Sequence, residues 1–122
     1  MQLHPIMYVA DQYAERDFYR RFGFEDHYEG DEFPGFLAVR HGAAVIGLQR
    51  SSAEQPAYEH GLRWQFELDS GEELDVLVSV CERDGLDHEL SVESGGSRFR
   101  TRLLTVVAPS GVRVVFEEPA QA

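Results

Sequence analysis

The sequence has a single cysteine, few basic residues and no long apolar run. Of its 122 residues, 11 are Lys or Arg and 22 are Asp or Glu, which gives a formal net charge of −11 at pH 7. Nucleic-acid binding depends on cations that neutralise phosphates, so this balance argues against a nucleic-acid partner. The apolar runs are far shorter than the roughly 20 residues that span a bilayer, and the N-terminus lacks the pattern of a signal peptide. We therefore expect a cytoplasmic protein without a membrane partner.

One cysteine excludes an internal disulfide and a cysteine-rich metal site, because both need further thiols. Cys81 falls on an apolar stripe of a predicted helix, so we expect it to be buried as a small apolar residue. Among enzyme motifs, G-x-S-x-G, the Walker loop and H-E-x-x-H are all missing from the sequence. What is present is a hydrophobic content of 43%, which favours a single folded domain.

The stretch His4–Phe24 predicts a strand followed by a helix. Alternation predicts the strand over His4–Val9, and Asp11 is a good N-cap because its carboxylate accepts from unpaired N–H groups of the first helical turn. Gly23 is the expected left-handed stop. One apolar stripe recurs every four residues along this helix: Ala14, Phe18 and Phe22.

The same pattern of strand, helix start and glycine stop returns about 60 residues later. Ser70 and Glu73 fit the S-x-x-E capping box, and Gly85 ends the second predicted helix. The chain therefore reads as βαβββ over residues 1–50, a polar linker over 51–61, and βαβββ again over 62–119. Each half alone would leave one sheet face uncovered.

These features resemble the opening of the vicinal oxygen chelate superfamily, which includes glyoxalase I, extradiol dioxygenases and bleomycin-resistance proteins. The resemblance is carried by Asp11, Phe18-Tyr19, Gly23-Phe24 and the later turn Pro109-Ser110-Gly111. It implies an α+β fold in which two βαβββ modules form a curved mixed sheet around a cleft. It also implies a homodimer, with exchanged domains, whose clefts are shared between chains. Within this superfamily the features resemble the bleomycin-resistance branch most, although one fold hosts many functions.

The resemblance further implies four positions for a divalent metal that acts as a Lewis acid. His4 matches the first position. The other three positions fall on Gly47, Arg63 and Val115. Glycine and valine have no donor side chain and arginine is a cation, so we predict no metal and no cofactor. A shift of one residue in the strand alignment would bring Glu67 or Glu117 inward, and that alternative stays open.

Strand alternation predicts which side chains line the cleft. The strand residues expected to contact a ligand are His4, Tyr8, Gln49, Arg63, Gln65, Glu67, Arg113 and Glu117. A buried cleft does not need Arg, Gln and Glu for stability, because each costs desolvation unless it is paired. The alternative is that these side chains face solvent or pair across the dimer.

The segment Asp26–Phe36 interleaves aromatic and acidic residues and resembles the drug groove of bleomycin-resistance proteins. Its aromatic members are Tyr28, Phe33 and Phe36. Aromatic rings with nearby acids suit a planar cationic molecule. The alternative is a hairpin turn with its aromatics in the core and its acids in water.

Arg98, Arg100 and Arg102 form a same-face basic row on a later predicted strand. This row can counter the acids or bind an anionic group, and a solvated edge is the alternative. Together with Arg63, the row argues against bleomycin itself as the ligand.

Two functions follow as hypotheses. The first is a metal-free binding protein that sequesters an aromatic ligand such as an antibiotic. The second is an enzyme of the same fold, of lyase, isomerase or dioxygenase type, acting on a small oxygenated substrate. It would use a metal on other ligands or, without metal, His4, Tyr8 and Glu67 as acid-base groups. A third hypothesis is an interaction module without a ligand, which would apply if the protein's own side chains filled the cleft.

Overall fold

A computed structural model describes residues 1, 3–30, 32–57, 62–94 and 100–120. The chain divides into two compact units, Met1–His60 and Gly61–Ala122. Each unit has the element order βαβββ and one four-stranded mixed sheet, so the predicted α+β architecture is confirmed. Of the predicted linker, residues 58–61 lie outside the described residues. No helix in the described part of the chain is long and apolar enough to cross a membrane.

The first unit consists of β1 (Ile6–Val9), α1 (Gln12–Arg21), β2 (Glu25–Glu29), β3 (Phe36–His41) and β4 (Ala44–Arg50). The strand order is β1-β4-β3-β2, with β1 parallel to β4 and the other pairs antiparallel. β1 begins two residues later than predicted. Pro5 has no N–H to donate, although its carbonyl accepts from the Gly47 N–H at 2.8 Å. His4 therefore lies just before the strand.

α1 begins and ends where the sequence predicts. The Asp11 carboxylate accepts from the backbone N–H groups of Tyr13 (3.0 Å) and Ala14 (3.1 Å). Gly23 follows the helix with a φ of +91°, a conformation that glycine adopts without steric cost. The helix covers one face of the first sheet, whose buried side chains are Met7, Val9, Leu37, Val39, Ile46 and Leu48.

The second unit consists of β5 (Arg63–Glu67), α2 (Gly71–Asp84), β6 (His88–Ser94), β7 (Arg100–Val107) and β8 (Arg113–Glu117). Its strand order, β5-β8-β7-β6, repeats that of the first unit. Ser70 caps α2 by accepting from the Glu73 N–H at 3.2 Å, and Gly85 ends the helix with a φ of +65°. Cys81 is fully buried on α2, as predicted, and burial raises the pKa of its thiol.

Arg102 lies on the face of the second sheet that α2 covers. Its guanidinium donates to the Glu118 carboxylate (Nε–Oε1 3.0 Å), the Asp75 carboxylate (2.9 Å) and the Gly71 carbonyl (3.3 Å). Glu118 is only 3% exposed. This network ties the start of α2 to the residue that follows β8, so the role of Arg102 is structural.

The contacts of Arg102 bear on the hypothesis that the basic row binds an anionic group, because its guanidinium is already engaged with Glu118 and Asp75. Arg100 is two residues before Arg102 on β7, so strand alternation places it on the same helix-covered face. Arg98 lies outside the described residues. The spacing thus places Arg100 and Arg102 on a common face, but which face that is depends on the strand register.

We expect the Arg102–Glu118 pair to make the stability of the protein pH-dependent. The hydrogen bond from Arg102 lowers the pKa of Glu118 below that of the unfolded chain, about 4.3. The stabilisation is therefore present above the unfolded-state pKa and is lost as pH falls through the lower folded-state value. Glu118→Gln should cost about 1.5–3 kcal/mol at pH 7 and flatten the acid limb of the stability profile.

Urea denaturation between neutral and acid pH measures this effect. The matched control is Glu93→Gln, which removes an exposed carboxylate from β6 of the same sheet. Equal stability losses in the two variants, or identical acid limbs, would contradict the assignment.

Candidate ligand-binding cleft

The first unit contains a cleft of about 280 Å³ on the face of its sheet that α1 does not cover. We call this the helix-free face. The lining residues are His4, Ile6, His27, Tyr28, Phe33, Phe36, Ala38, Val45 and Gly47. The volume is near the lower end of the about 300–1,000 Å³ typical of small-molecule sites. Of the predicted contact residues, His4, Tyr28, Phe33 and Phe36 are brought together here.

The strand register explains why this cleft exists. Ile6 lies opposite Gly47, which lies opposite Ala38, which in turn lies opposite Tyr28. Cross-strand partners share a face, so this row runs across the whole sheet. The two middle positions carry the smallest side chains, and a shallow floor results between the larger residues at either end.

Gly47 is at a point of very close packing. A Cβ atom added there would lie 2.9 Å from Ile6 Cγ1 and 2.9 Å from Phe36 Cε2. Real Cβ contacts are longer, so any side chain at position 47 would push one of these neighbours away. The glycine therefore allows Phe36 and Ile6 to approach the floor of the cleft.

A tight turn positions the aromatic rings. Phe33–Phe36 forms a type II turn, in which the Phe36 N–H donates to the Phe33 carbonyl at 3.1 Å. Proline at the second position and glycine at the third, with a φ of +78°, are the residues that this turn type favours. The Gln49 amide donates to the Pro34 carbonyl at 3.3 Å and helps to hold the turn.

Tyr28, Phe33 and Phe36 form an aromatic cluster. Their ring centroids are 5.8 Å apart for Tyr28 with either phenylalanine and 6.4 Å apart for Phe33 with Phe36. These separations lie in the range of favourable aromatic pairs. Phe33 is nevertheless 58% exposed, so the cluster presents a ring edge that the protein itself leaves uncovered.

His27 also lines the cleft, although no pattern in the sequence selects it. The pairing of β2 with β3 shifts register between Asp26 and Tyr28, which leaves His27 as the extra residue of a β-bulge. A bulge interrupts strict alternation, so His27 and Tyr28 both reach the cleft even though they are neighbours in sequence. Only strand pairing reveals such a residue.

The described acids of the segment Asp26–Phe36 do not line the cleft as the cationic-groove prediction requires. Asp26 accepts from Arg20 (Nε–Oδ1 2.9 Å), and Glu29 accepts from Arg16 at 3.3 Å; both arginines are on α1. The Arg20 side chain lowers the pKa of Asp26. Asp31 lies outside the described residues. The described lining of the cleft therefore contains aromatic, aliphatic and imidazole groups and no carboxylate.

Two further predicted residues, Tyr8 and Gln49, are near the cleft without lining it. They pair with each other across β1 and β4, and Gln49 pairs with Phe36 across β3. Tyr8 is half-buried on the helix-free face of this sheet. Both residues therefore support the wall of the cleft that Phe36 forms.

The second unit presents a charged helix-free face. Five predicted residues share it, namely Arg63, Gln65, Glu67, Arg113 and Glu117. In the parallel register Arg63 lies directly opposite Arg113, and Glu67 lies directly opposite Glu117. Gln65 donates a hydrogen bond to the Glu117 carboxylate. The positive charges thus lie where β5 and β8 begin, and the negative charges lie where they end.

Solved structures with the same topology give the chain its place among known folds. It is similar to a glyoxalase/bleomycin resistance protein/dioxygenase from Alicyclobacillus acidocaldarius, with a TM-score of 0.74, 14% identity and coverage of 97% of this chain and 90% of that one. It is also similar to a lactoylglutathione lyase from Agrobacterium tumefaciens, with a TM-score of 0.71, 19% identity and coverage of 97% and 92%.

A third similar structure is a bleomycin-binding protein complexed with bleomycin, with a TM-score of 0.69, 14% identity and coverage of 98% of both chains. The chain has the vicinal oxygen chelate fold. No protein-family model matches the sequence, and no curated protein matches it. The identities are low, so the similarity describes the fold and leaves the activity to be argued from the side chains.

The metal positions of the vicinal oxygen chelate fold can be tested against the residues present here. His4 lines the cleft, but the packing of Ile6 and Phe36 over Gly47 leaves no room for a donor side chain at that position. In the second unit Val115 is buried and apolar, and Arg63 is a cation. Within residues 1, 3–30, 32–57, 62–94 and 100–120, no three His, Cys, Asp or Glu side chains form a group that could hold a metal. These residues do not fit the metal of the fold family.

We expect Gly47→Ala to destabilise the protein by about 1–3 kcal/mol, because the added methyl group overpacks the contact between Ile6 and Phe36. Ile6→Ala removes one of the two neighbours and should make the same substitution at position 47 less costly. A double-mutant cycle, in which urea denaturation gives the stability of each variant, measures the coupling between the two positions. Additive losses in the double variant, or a Gly47→Ala protein as stable as the parent, would show that the packing is not tight.

Proposed function

We propose that this protein is a metal-free small-molecule-binding protein of the glyoxalase/bleomycin-resistance type, which sequesters an aromatic ligand such as an antibiotic. The cleft over Gly47, with the aromatic cluster along its wall, is the observation that supports this function. Sequestration needs only a site that binds tightly and releases slowly. It needs no reacting group.

The lining also suggests which part of a ligand enters the cleft. The exposed ring of Phe33 and the half-buried ring of Tyr28 offer edges and faces to a planar group. With no carboxylate in the described lining, a positive charge gains no direct ion pair there. We therefore propose an uncharged planar aromatic group for this cleft. The similar bleomycin-binding protein is complexed with bleomycin, and it supports small-molecule binding on this fold more than it supports this particular drug.

An enzyme is the second candidate, and the two imidazoles of the cleft are the observation that favours it. His4 and His27 both line the cleft, and an imidazole can transfer protons near neutral pH. Tyr8 is on the same sheet face, whereas Glu67 belongs to the second unit. The similar lactoylglutathione lyase shows that this fold can carry an enzyme.

Calorimetric titration against a panel of planar aromatic antibiotics tests the first candidate. We expect saturable binding that a chelator does not change. Phe33→Ala should weaken binding about tenfold, because one lost aromatic contact corresponds to about 1.4 kcal/mol. The matched control is Tyr13→Ala, which removes a comparably exposed aromatic side chain from α1, outside the cleft.

Three results would reject sequestration by this cleft. They are binding that a chelator abolishes, equal losses in the Phe33 and Tyr13 variants, and conversion of the ligand into a product. Conversion without added metal, lost in His4→Gln or His27→Gln, would favour the enzyme instead.

We also propose that the protein acts in the cytoplasm as a homodimer with exchanged modules. The edge strand β6 supports association, because Leu90 and Val92 are 46% and 58% exposed there. An apolar sheet edge of this kind tends to associate with another chain.

Sedimentation equilibrium tests the dimer directly. We expect a mass of twice 13.8 kDa that persists on dilution through the micromolar range. A mass of one chain at all concentrations would rule the dimer out and leave the cleft of the first unit as a complete monomeric site.

A further inference from the structure

Two arginines at one end of the second sheet have no acidic partner among the described residues. Arg63 and Arg113 lie directly opposite each other across β5 and β8, and both are exposed. Neither guanidinium forms an ion pair or hydrogen bond with any residue that the structure describes. The sequence has 22 acidic residues against 11 basic ones, so a lack of available acids does not explain this.

The arrangement is unfavourable for the sheet alone. Like charges directly opposite each other destabilise a pair of strands. On β5 and β8 themselves, the acids of the same face are Glu67 and Glu117, which lie four residues farther along the two strands, a distance of about 13 Å. Other arginines with acids in reach do pair with them, as Arg20 does with Asp26 and Arg102 with Glu118. The Arg63–Arg113 pair therefore has a cost that its own fold does not offset.

We propose that Arg63 and Arg113 form a binding site for the carboxylate or phosphate group of a small molecule. Neighbouring strands are about 4.8 Å apart, so two guanidinium groups on facing positions can reach one oxyanion together. Each planar guanidinium donates two parallel hydrogen bonds to such a group, and the combined charge of the pair neutralises it. The bound anion removes the repulsion between the two arginines.

The third residue of this row indicates what the oxyanion is attached to. Val107 lies opposite Arg113 on β7, and it is 57% exposed. An apolar side chain beside a cationic pair suits an acid whose charged group is joined to an apolar body. The ligand class is thus an aromatic or aliphatic carboxylate or phosphate ester. The site lies wholly within the second unit and does not depend on the function proposed for the cleft.

Titration by two-dimensional NMR at constant ionic strength tests the site with benzoate, phenyl phosphate and inorganic phosphate. Benzamide is the uncharged control for benzoate. We expect saturable shifts of the backbone N–H signals of Arg63, Arg113 and Val107 with benzoate and phenyl phosphate, and none with benzamide. Inorganic phosphate should bind more weakly than phenyl phosphate, because it lacks the apolar body.

Arg63→Gln and Arg113→Gln should each weaken phenyl phosphate binding about tenfold or more, as expected for a lost charge-assisted hydrogen bond. Arg83→Gln is the matched control, because it removes the same charge from an exposed position on α2. The two sheet variants should also melt no lower than the parent protein in anion-free buffer, which shows that they fold.

Several outcomes would overturn the site. Shifts that do not saturate, or that benzamide reproduces, would show that no oxyanion is recognised. If Arg83→Gln weakened phenyl phosphate binding equally, the effect would come from the net charge of the protein and not from a specific site. A clear loss of melting temperature in both sheet variants would mean that the arginines stabilise the fold and are not held ready for a ligand.

Discussion

A single helix cannot cover both faces of a four-stranded sheet, and the rest of this structure depends on that constraint. Each unit buries one sheet face under its own helix, and aliphatic and aromatic side chains fill the space between them. The helix-free face is then available for function, because the helix of the unit does not cover it. In the first unit this face carries an aromatic cleft, and in the second it carries separated charges. The two modules share a topology but present different chemistry.

The cleft depends on the absence of a side chain as much as on the rings that line it. Gly47 lets Ile6 and Phe36 close over the sheet, and the same close approach excludes a metal-binding side chain at that position. The glycine at position 47 thus has two consequences, a position without a metal donor and an apolar floor. The Phe33–Phe36 turn then fixes the ring positions through its proline and glycine. Packing and backbone geometry together form the cleft and its aromatic wall.

Local signals in the sequence predicted the helices well, and with them the order of helices and strands along the chain. Asp11, Ser70, Gly23 and Gly85 act through atoms only a few residues away, so their roles can be read without knowing the fold. Alternation also placed Arg63, Gln65 and Glu67 on one face of β5, and Arg113 and Glu117 on the same face of the neighbouring β8. It failed at the bulge of β2, where His27 reaches the cleft beside its neighbour. An irregularity of this kind arises from strand pairing, which a single segment does not reveal.

The sequence by itself determined the element order, the helix ends, the buried faces of the strands and the poor set of metal donors, because each of these follows from residue chemistry and short-range spacing. Only the tertiary structure decided which face each polar side chain serves. Asp26 and Arg102 bind partners beside the helices and are not cleft residues, whereas Arg63 and Arg113 face each other and pair with no acid in the described part of the chain. The sequence does not distinguish a charged residue that pairs from one that does not, because the register between distant strands decides which charges come into contact.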